Sequence, residues 1–126
     1  VIDTTGFLES GPHAPITSST WSKPHLVAID CEMCLTRDGL ELTRLSIVDS
    51  DLQVLFDGYV LPKSDIVDYN TRYSGITAAH LDGVTMRLED AREKLMGVIG
   101  EETVLVGHSL ENDLKALKVR GKGKNW

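Results

Sequence analysis

Apolar positions along this chain form short runs separated by turn residues. Leu26-Val27-Ala28-Ile29 is an unbroken apolar run ending in Asp30-Cys31-Glu32. A run this short and continuous reads as a buried strand, here about His25 to Glu32. Thr36-Arg37-Asp38-Gly39 follows, and Asp-Gly is a strong hairpin signal. The next strand covers about Glu41 to Asp49, with Leu42, Arg44, Ser46 and Val48 on one face and Leu45 and Ile47 on the other. Ser50-Asp51 turns the chain, and a third strand runs from about Gln53 to Leu61 and stops at Pro62. These three strands predict an antiparallel meander.

Residues 63–87 read as irregular with short helical pieces. Ile66 to Tyr69 leads into Thr71–Thr77, and Thr77 is a plausible N-cap for a short helix through Leu81 that stops near Gly83. Leu88, Ala91, Leu95, Val98 and Ile99 have helical spacing, which predicts a helix from Leu88 to Ile99 ended by Gly100. Thr103-Val104-Leu105-Val106-Gly107 is another short apolar strand. Ser109 then caps a helix to about Val119, with Asn112 three residues on and an inner stripe of Leu110, Leu114 and Leu117. A strand reached through a helical crossover runs parallel to an earlier strand. The expected fold is therefore α/β: a mixed sheet of three antiparallel strands plus a parallel strand beside the first, with flanking helices.

Composition narrows this picture. At 126 residues the chain holds one domain, with 41% hydrophobic and 25% charged residues, ordinary for a globular protein. Residues 1–24 are rich in Ser, Thr, Pro and Gly and read as an extended arm, from which Phe7, Leu8 and Trp21 could pack on a neighbouring surface. Residues 25–119 form the domain, and residues 120–126 a basic tail. No apolar run approaches membrane-spanning length, and the N-terminus carries no secretory pattern. Two cysteines three apart are not a disulfide framework; read as reduced thiols, they imply an intracellular protein. The net charge of −6 argues against a broadly basic nucleic-acid clamp, although a metal-dependent nuclease site must itself be acidic.

Candidate chemistry starts at the end of the first strand. Side chains alternate along a strand, so Asp30 and Glu32 point the same way. Neighbouring carboxylates repel unless a cation lies between them, and hard oxygen ligands suit Mg²⁺ or Mn²⁺. Two readings stand here: a divalent metal site, or a turn-capping Asp30 beside a solvated Glu32. Asp113, four residues into the last helix, can face back toward the first strand and add a third carboxylate. His108 reads as a loop histidine ahead of a catalytic one, and Asn112 as a local hydrogen-bonding residue.

These residues belong to recognisable motifs. Ala-Ile-Asp-Cys-Glu-Met-Cys at 28–34 resembles the first motif of the DEDDh 3′→5′ exonuclease family. Residues 68–77 (Asp-Tyr-Asn-Thr-Arg-Tyr-Ser-Gly-Ile-Thr), 106–114 (Val-Gly-His-Ser-Leu-Glu-Asn-Asp-Leu) and Glu41-Leu42-Thr43-Arg44 resemble its eukaryotic RNA exonuclease (Rex-type) branch, which trims ribosomal and small RNA precursors. The resemblance covers about residues 25–118. It implies a ribonuclease H-like fold, hydrolysis of single-stranded RNA from the 3′ end with two Mg²⁺ or Mn²⁺ ions, and a nuclear location. In the family pattern Asp30 bridges both ions, Glu32 holds one, and Asp113 supports the other, often through water. Met33 matches a position that contacts the terminal nucleotide. Arg72 matches an arginine expected near the substrate or the site loop, with a structural salt bridge as the equal alternative.

The sequence also departs from that pattern. The family's third motif places a general-base histidine five residues before a fourth aspartate, and nothing after Asp113 supplies either. Gly-Lys-Gly-Lys-Asn-Trp at 121–126 resembles no part of the family's continuation and reads as a truncated gene model, a retained intron or an alternative end. Losing the base is worth about 10²–10⁴ in rate, so the chain alone is expected to be inactive or nearly so, and poorly stable. His13, His25 and His80 are the other histidines, and the first two are badly placed to substitute. Lys115, Lys118, Arg120, Lys122 and Lys124 could touch phosphate, or simply form a solvated end. The alternative function is a non-catalytic RNA-end-binding fragment. A Cys31-x-x-Cys34 zinc or redox module is the weaker third reading, because no second ligand pair is spaced for zinc and the motif closes a strand rather than opening a helix.

Overall fold

The computed structural model describes residues 2–3 and 23–121. Most of the expected arm and tail, with Phe7, Leu8, His13, Trp21, Lys122 and Lys124, lies outside the described residues. The ends of those segments that are described meet each other. Strand β1 (Ile2–Asp3) pairs antiparallel with β7 (Arg120–Gly121).

The main sheet has five strands: β2 (Leu26–Thr36), β3 (Gly39–Asp49), β4 (Val54–Tyr59), β5 (Ile66–Asp68) and β6 (Val104–Val106), in the order β4-β3-β2-β5, with β6 also on β2. The expected meander is present, and β6 lies parallel to β2, with Leu26, Val27 and Ala28 opposite Val104, Leu105 and Val106. The hairpin between β2 and β3 pairs Thr36 with Gly39, so Arg37 and Asp38 form the two-residue loop. Gly39 takes φ +109°, a conformation that a side chain would strain. Thr36 Oγ1 locks the turn by accepting from Asp38 N–H and donating to Gly39 O and Glu41 Oε2.

Two expectations are corrected. Residues 63–87 contain a strand as well as helical turns: β5 pairs antiparallel with the far end of β2, Leu35 opposite Asp68 and Thr36 opposite Ile66. Its side chains are exposed or half-buried, so backbone pairing rather than apolar burial holds it, and no periodicity betrays it. The faces of β3 also change part-way along. Glu32 lies opposite Arg44 but Met33 lies opposite Leu42, leaving Thr43 as an extra residue. This bulge breaks the alternation, so Leu42 is buried with Leu45 and Ile47 instead of sharing the open face of Arg44 and Ser46. Bulges commonly sit beside functional sites, where they re-aim a side chain.

Helices α1 (Thr71–Ser74), α2 (Ala78–Leu81), α3 (Leu88–Val98) and α4 (Leu110–Leu117) complete the described residues. Thr77 caps α2 as expected, with His80 Nδ1 accepting from the Thr77 N–H at 3.0 Å. Ser109 takes the N-cap position of α4 in the left-handed region (φ 51°) and makes no side-chain cap bond; its carbonyl instead accepts from the Asn112 N–H. The core gathers Val27, Ile29, Cys31, Leu45 and Ile47 from the sheet, Ala91, Leu95 and Ile99 from α3 and its end, and Leu114, Leu117 and Val119 from α4 and its end. A fully buried leucine or isoleucine of this kind contributes about 1.5–3 kcal/mol. Among the described residues no helix is long and apolar enough to cross a membrane.

Candidate active site

Asp113 occupies a position that amphipathic spacing reserves for an apolar residue. It shares one face of α4 with Leu110, Leu114 and Leu117, at i, i+3, i+4 and i+7, and is only 5% exposed. That face packs on β2, which carries Asp30 and Glu32. Gly107 permits the close approach: a Cβ there would lie 3.1 Å from Ile29 O and 3.0 Å from Leu110 Cδ1. Parallel pairing of β6 with the first residues of β2 thus delivers the start of α4 to the middle of β2, which runs on to Thr36, past the end expected at Glu32.

The three carboxylates feel one another. The Asp113 carboxyl is pushed up from 3.8 to about 6, chiefly by burial and then by Asp30 and Glu32, against the opposing pull of the Cys31 backbone N–H and His108. Burial likewise raises Glu32, with Asp30 adding to the effect through its charge and through a carboxyl–carboxyl hydrogen bond, while Arg44 works against it. Asp113 Oδ2 is buried with no hydrogen-bond partner. An orphaned carboxylate oxygen beside two further carboxyl groups is a donor set suited to a hard divalent cation. Among the described residues, however, no three His, Cys, Asp or Glu side chains are already gathered closely enough to hold an ion. The donors fit a cation in chemistry and charge.

Next to Glu32 opens a pocket of about 500 Å³ whose walls include Met33, Leu40, Asn70, Tyr73, Asn112 and Lys115. Met33, singled out from the sequence, lies in it. Arg72 does not; its guanidinium sits over the Tyr73 ring, 5.5 Å from the centroid. Sequence reasoning passed over Asn70 and Tyr73 as pocket residues and took Asn112 for a purely local partner. Their signal was present in residues 68–77, but only the pairing of β5 with β2 brings that segment to the site. A second groove of about 580 Å³ shares Leu40, Lys115 and Ala116 with the first and carries Lys63, Arg87 and Lys118.

Arg44 stands opposite Glu32 on the neighbouring strand. It is held by Asp57 through two bonds of 2.9 and 2.8 Å, and Ser46 donates to the same carboxylate. Cys31 and Cys34 are buried free thiols. Burial and the neighbouring carboxylates raise Cys31, and burial and Glu41 push Cys34 up to about 11. Thiols held protonated in this way are poor metal ligands and poor nucleophiles.

A family model described as Exonuclease matches residues 27–119. The chain belongs to this exonuclease family. Its relatives include human RNA exonuclease 1 homolog, 50% identical over 96 residues that cover 76% of this chain and 8% of the relative. Yeast (Saccharomyces cerevisiae) RNA exonuclease 1 is 46% identical over 97 residues, covering 76% of this chain and 18% of the relative. The chain thus spans under a fifth of the length of these two relatives. A solved structure of the Saccharomyces cerevisiae Pan2 pseudoubiquitin hydrolase-RNA exonuclease module in complex with AAGGA RNA superposes with a TM-score of 0.63 at 31% identity, covering 74% of this chain and 19% of that one. The mixed sheet and flanking helices of this chain form a ribonuclease H-like fold, as in the Pan2 exonuclease domain.

Proposed function

We propose that this chain contributes to a 3′→5′ exoribonuclease site in which Asp30, Glu32 and Asp113 hold divalent ions, Mg²⁺ or Mn²⁺, and the adjacent pocket receives the 3′-terminal nucleotide of a single-stranded RNA. The observation that carries the reading is the buried, unpartnered Oδ2 of Asp113, a carboxyl that feels the charges of Asp30 and Glu32. When bound, such ions neutralise the scissile phosphate and supply a nucleophilic water at neutral pH. The chain's own residues prepare the site for them. The Cys31 N–H anchors the Asp113 carboxylate, and Arg44 limits the repulsion that Glu32 feels. Met33 and its pocket neighbours orient the terminal nucleotide, and Lys63, Arg87, Lys115 and Lys118 offer phosphate partners to the strand leaving along the second groove. Arg72 acts through Tyr73 rather than from within the pocket. RNA processing in the nucleus is the setting we propose, as the family resemblance implies.

A non-catalytic RNA-end binder is the second reading. It is favoured by the absence, among the described residues, of three ligands already gathered for an ion. A 5′-labelled single-stranded RNA incubated with Mn²⁺ separates the two. A ladder of 3′-shortened products that Asp30→Ala abolishes supports the exonuclease. Shortening that survives Asp30→Ala refutes it. RNA that both proteins leave at full length, yet bind equally well by fluorescence anisotropy, supports the binder.

A further inference from the structure

The turn that carries Tyr73 is tied by several hydrogen bonds, yet it holds a large aromatic ring out to solvent. Tyr73 is 73% exposed. Its neighbour Ser74 is buried and ties the turn down, donating from Oγ to Tyr69 O at 2.9 Å and accepting from the Ile76 N–H at 2.9 Å. Thr71 Oγ1 donates to Ile76 O at 2.6 Å. Left-handed residues at Asn70 (φ 56°) and Gly75 (φ 70°) close the turn on both sides. Arg72 lies over the ring, 5.5 Å from its centroid. A ring set so firmly, with little covering it, pays no ordering cost when a flat partner arrives.

The surroundings indicate which partner. Tyr73 lines the pocket beside Glu32 together with Met33, Leu40 and Ala116, which offer apolar surface, and with Asn70 and Asn112, whose amides can donate and accept at one edge. Apolar walls with amide groups at the rim suit a nucleobase, which is apolar on its faces and polar at its edges. We infer that Tyr73 stacks on the base of the nucleotide in this pocket and so positions the RNA 3′ end over the carboxylates. This inference rests on the RNA reading above and adds a positioning residue to it.

The test measures binding without hydrolysis. The chain is titrated, in Ca²⁺, into a 5′-fluorescein single-stranded RNA heptamer and into the same heptamer ending in an abasic ribose, followed by fluorescence anisotropy. Stacking predicts that Tyr73→Ala weakens binding of the base-ended RNA about tenfold and leaves the abasic RNA unchanged, while Tyr73→Phe retains wild-type affinity. Tyr73→Leu, which keeps apolar bulk without a π face, should behave like Tyr73→Ala and guards against a folding artefact. If the wild type binds but Tyr73→Ala costs nothing, or costs the same on both RNAs, the stacking role falls and the RNA reading stands. If the wild type binds neither RNA, both fall together.

Discussion

Asp113→Asn should stabilise the metal-free protein near neutral pH while weakening its response to divalent ions. Asparagine keeps the shape and an acceptor for the Cys31 N–H but carries no charge into the buried position. The native carboxyl titrates at about 6 instead of 3.8, chiefly because burial disfavours its charged form. At about 1.4 kcal/mol per unit this corresponds to no more than about 3 kcal/mol, and water on the open side of the site screens part of it, leaving about 1–2 kcal/mol. The sign follows from linkage. Between the unfolded and folded values the native state binds the extra proton, so stability falls as pH rises from about 4 to about 6, and the penalty is complete above that. Asp113→Asn should therefore unfold about 3–10 °C higher than wild type at pH 7.5 and at nearly the same temperature at pH 4. Added Mn²⁺ should raise the wild-type midpoint by mass action and raise that of Asp113→Asn less. Scanning calorimetry at the two pH values, with and without Mn²⁺, decides the matter. A lower midpoint for Asp113→Asn at pH 7.5, or an equal gain at both pH values, would refute the argument that a desolvated charge sits at this position.

Other perturbations probe the frame around the site. Leu45→Ala removes a fully buried side chain from the centre of the sheet and should cost about 2–5 kcal/mol in urea unfolding; a loss under about 1 kcal/mol would mean that the core is not packed there as described. Gly107→Ala places a methyl 3.1 Å from Ile29 O, so α4 must shift from β2; we expect a loss of about 1–3 kcal/mol and weaker Mn²⁺ affinity by calorimetry, whereas unchanged values would show that the approach tolerates a side chain. Folded protein should resist a thiol reagent at pH 8 at both Cys31 and Cys34 and react at both in urea; rapid labelling of the native state would reopen the metal or redox reading of the pair.

Much of the scaffold was legible because it depends on local patterns. The apolar run at Leu26–Ile29, the alternation at Leu45 and Ile47, the helical spacing of Ala91, Leu95 and Ile99, and the Thr77 cap all use side-chain period and turn chemistry, which a sequence displays directly. The parallel placement of β6 followed from the handedness and length of its crossover. What escaped notice was set by backbone pairing. β5 buries little, so nothing in Ile66-Val67-Asp68 distinguishes it from a loop. The Thr43 bulge changes the face of Leu42 through a register shift that the residues themselves do not announce. The pocket role of Asn70 and Tyr73 depends on β5, and was hidden with it.

For the site, the sequence alone determined which groups carry charge and which elements they ride on: Asp30 and Glu32 two apart on a strand, Asp113 on the apolar stripe of a helix. Those relations are fixed by the repeat of a single element. Tertiary structure decided how those groups perturb one another. Only when Gly107 lets α4 close on β2 does Asp113 lose its water and keep an oxygen without a partner, and only then does a carboxyl group move from 3.8 to about 6. Desolvation and charge repulsion act through space, so they belong to the folded arrangement of residues far apart in the chain.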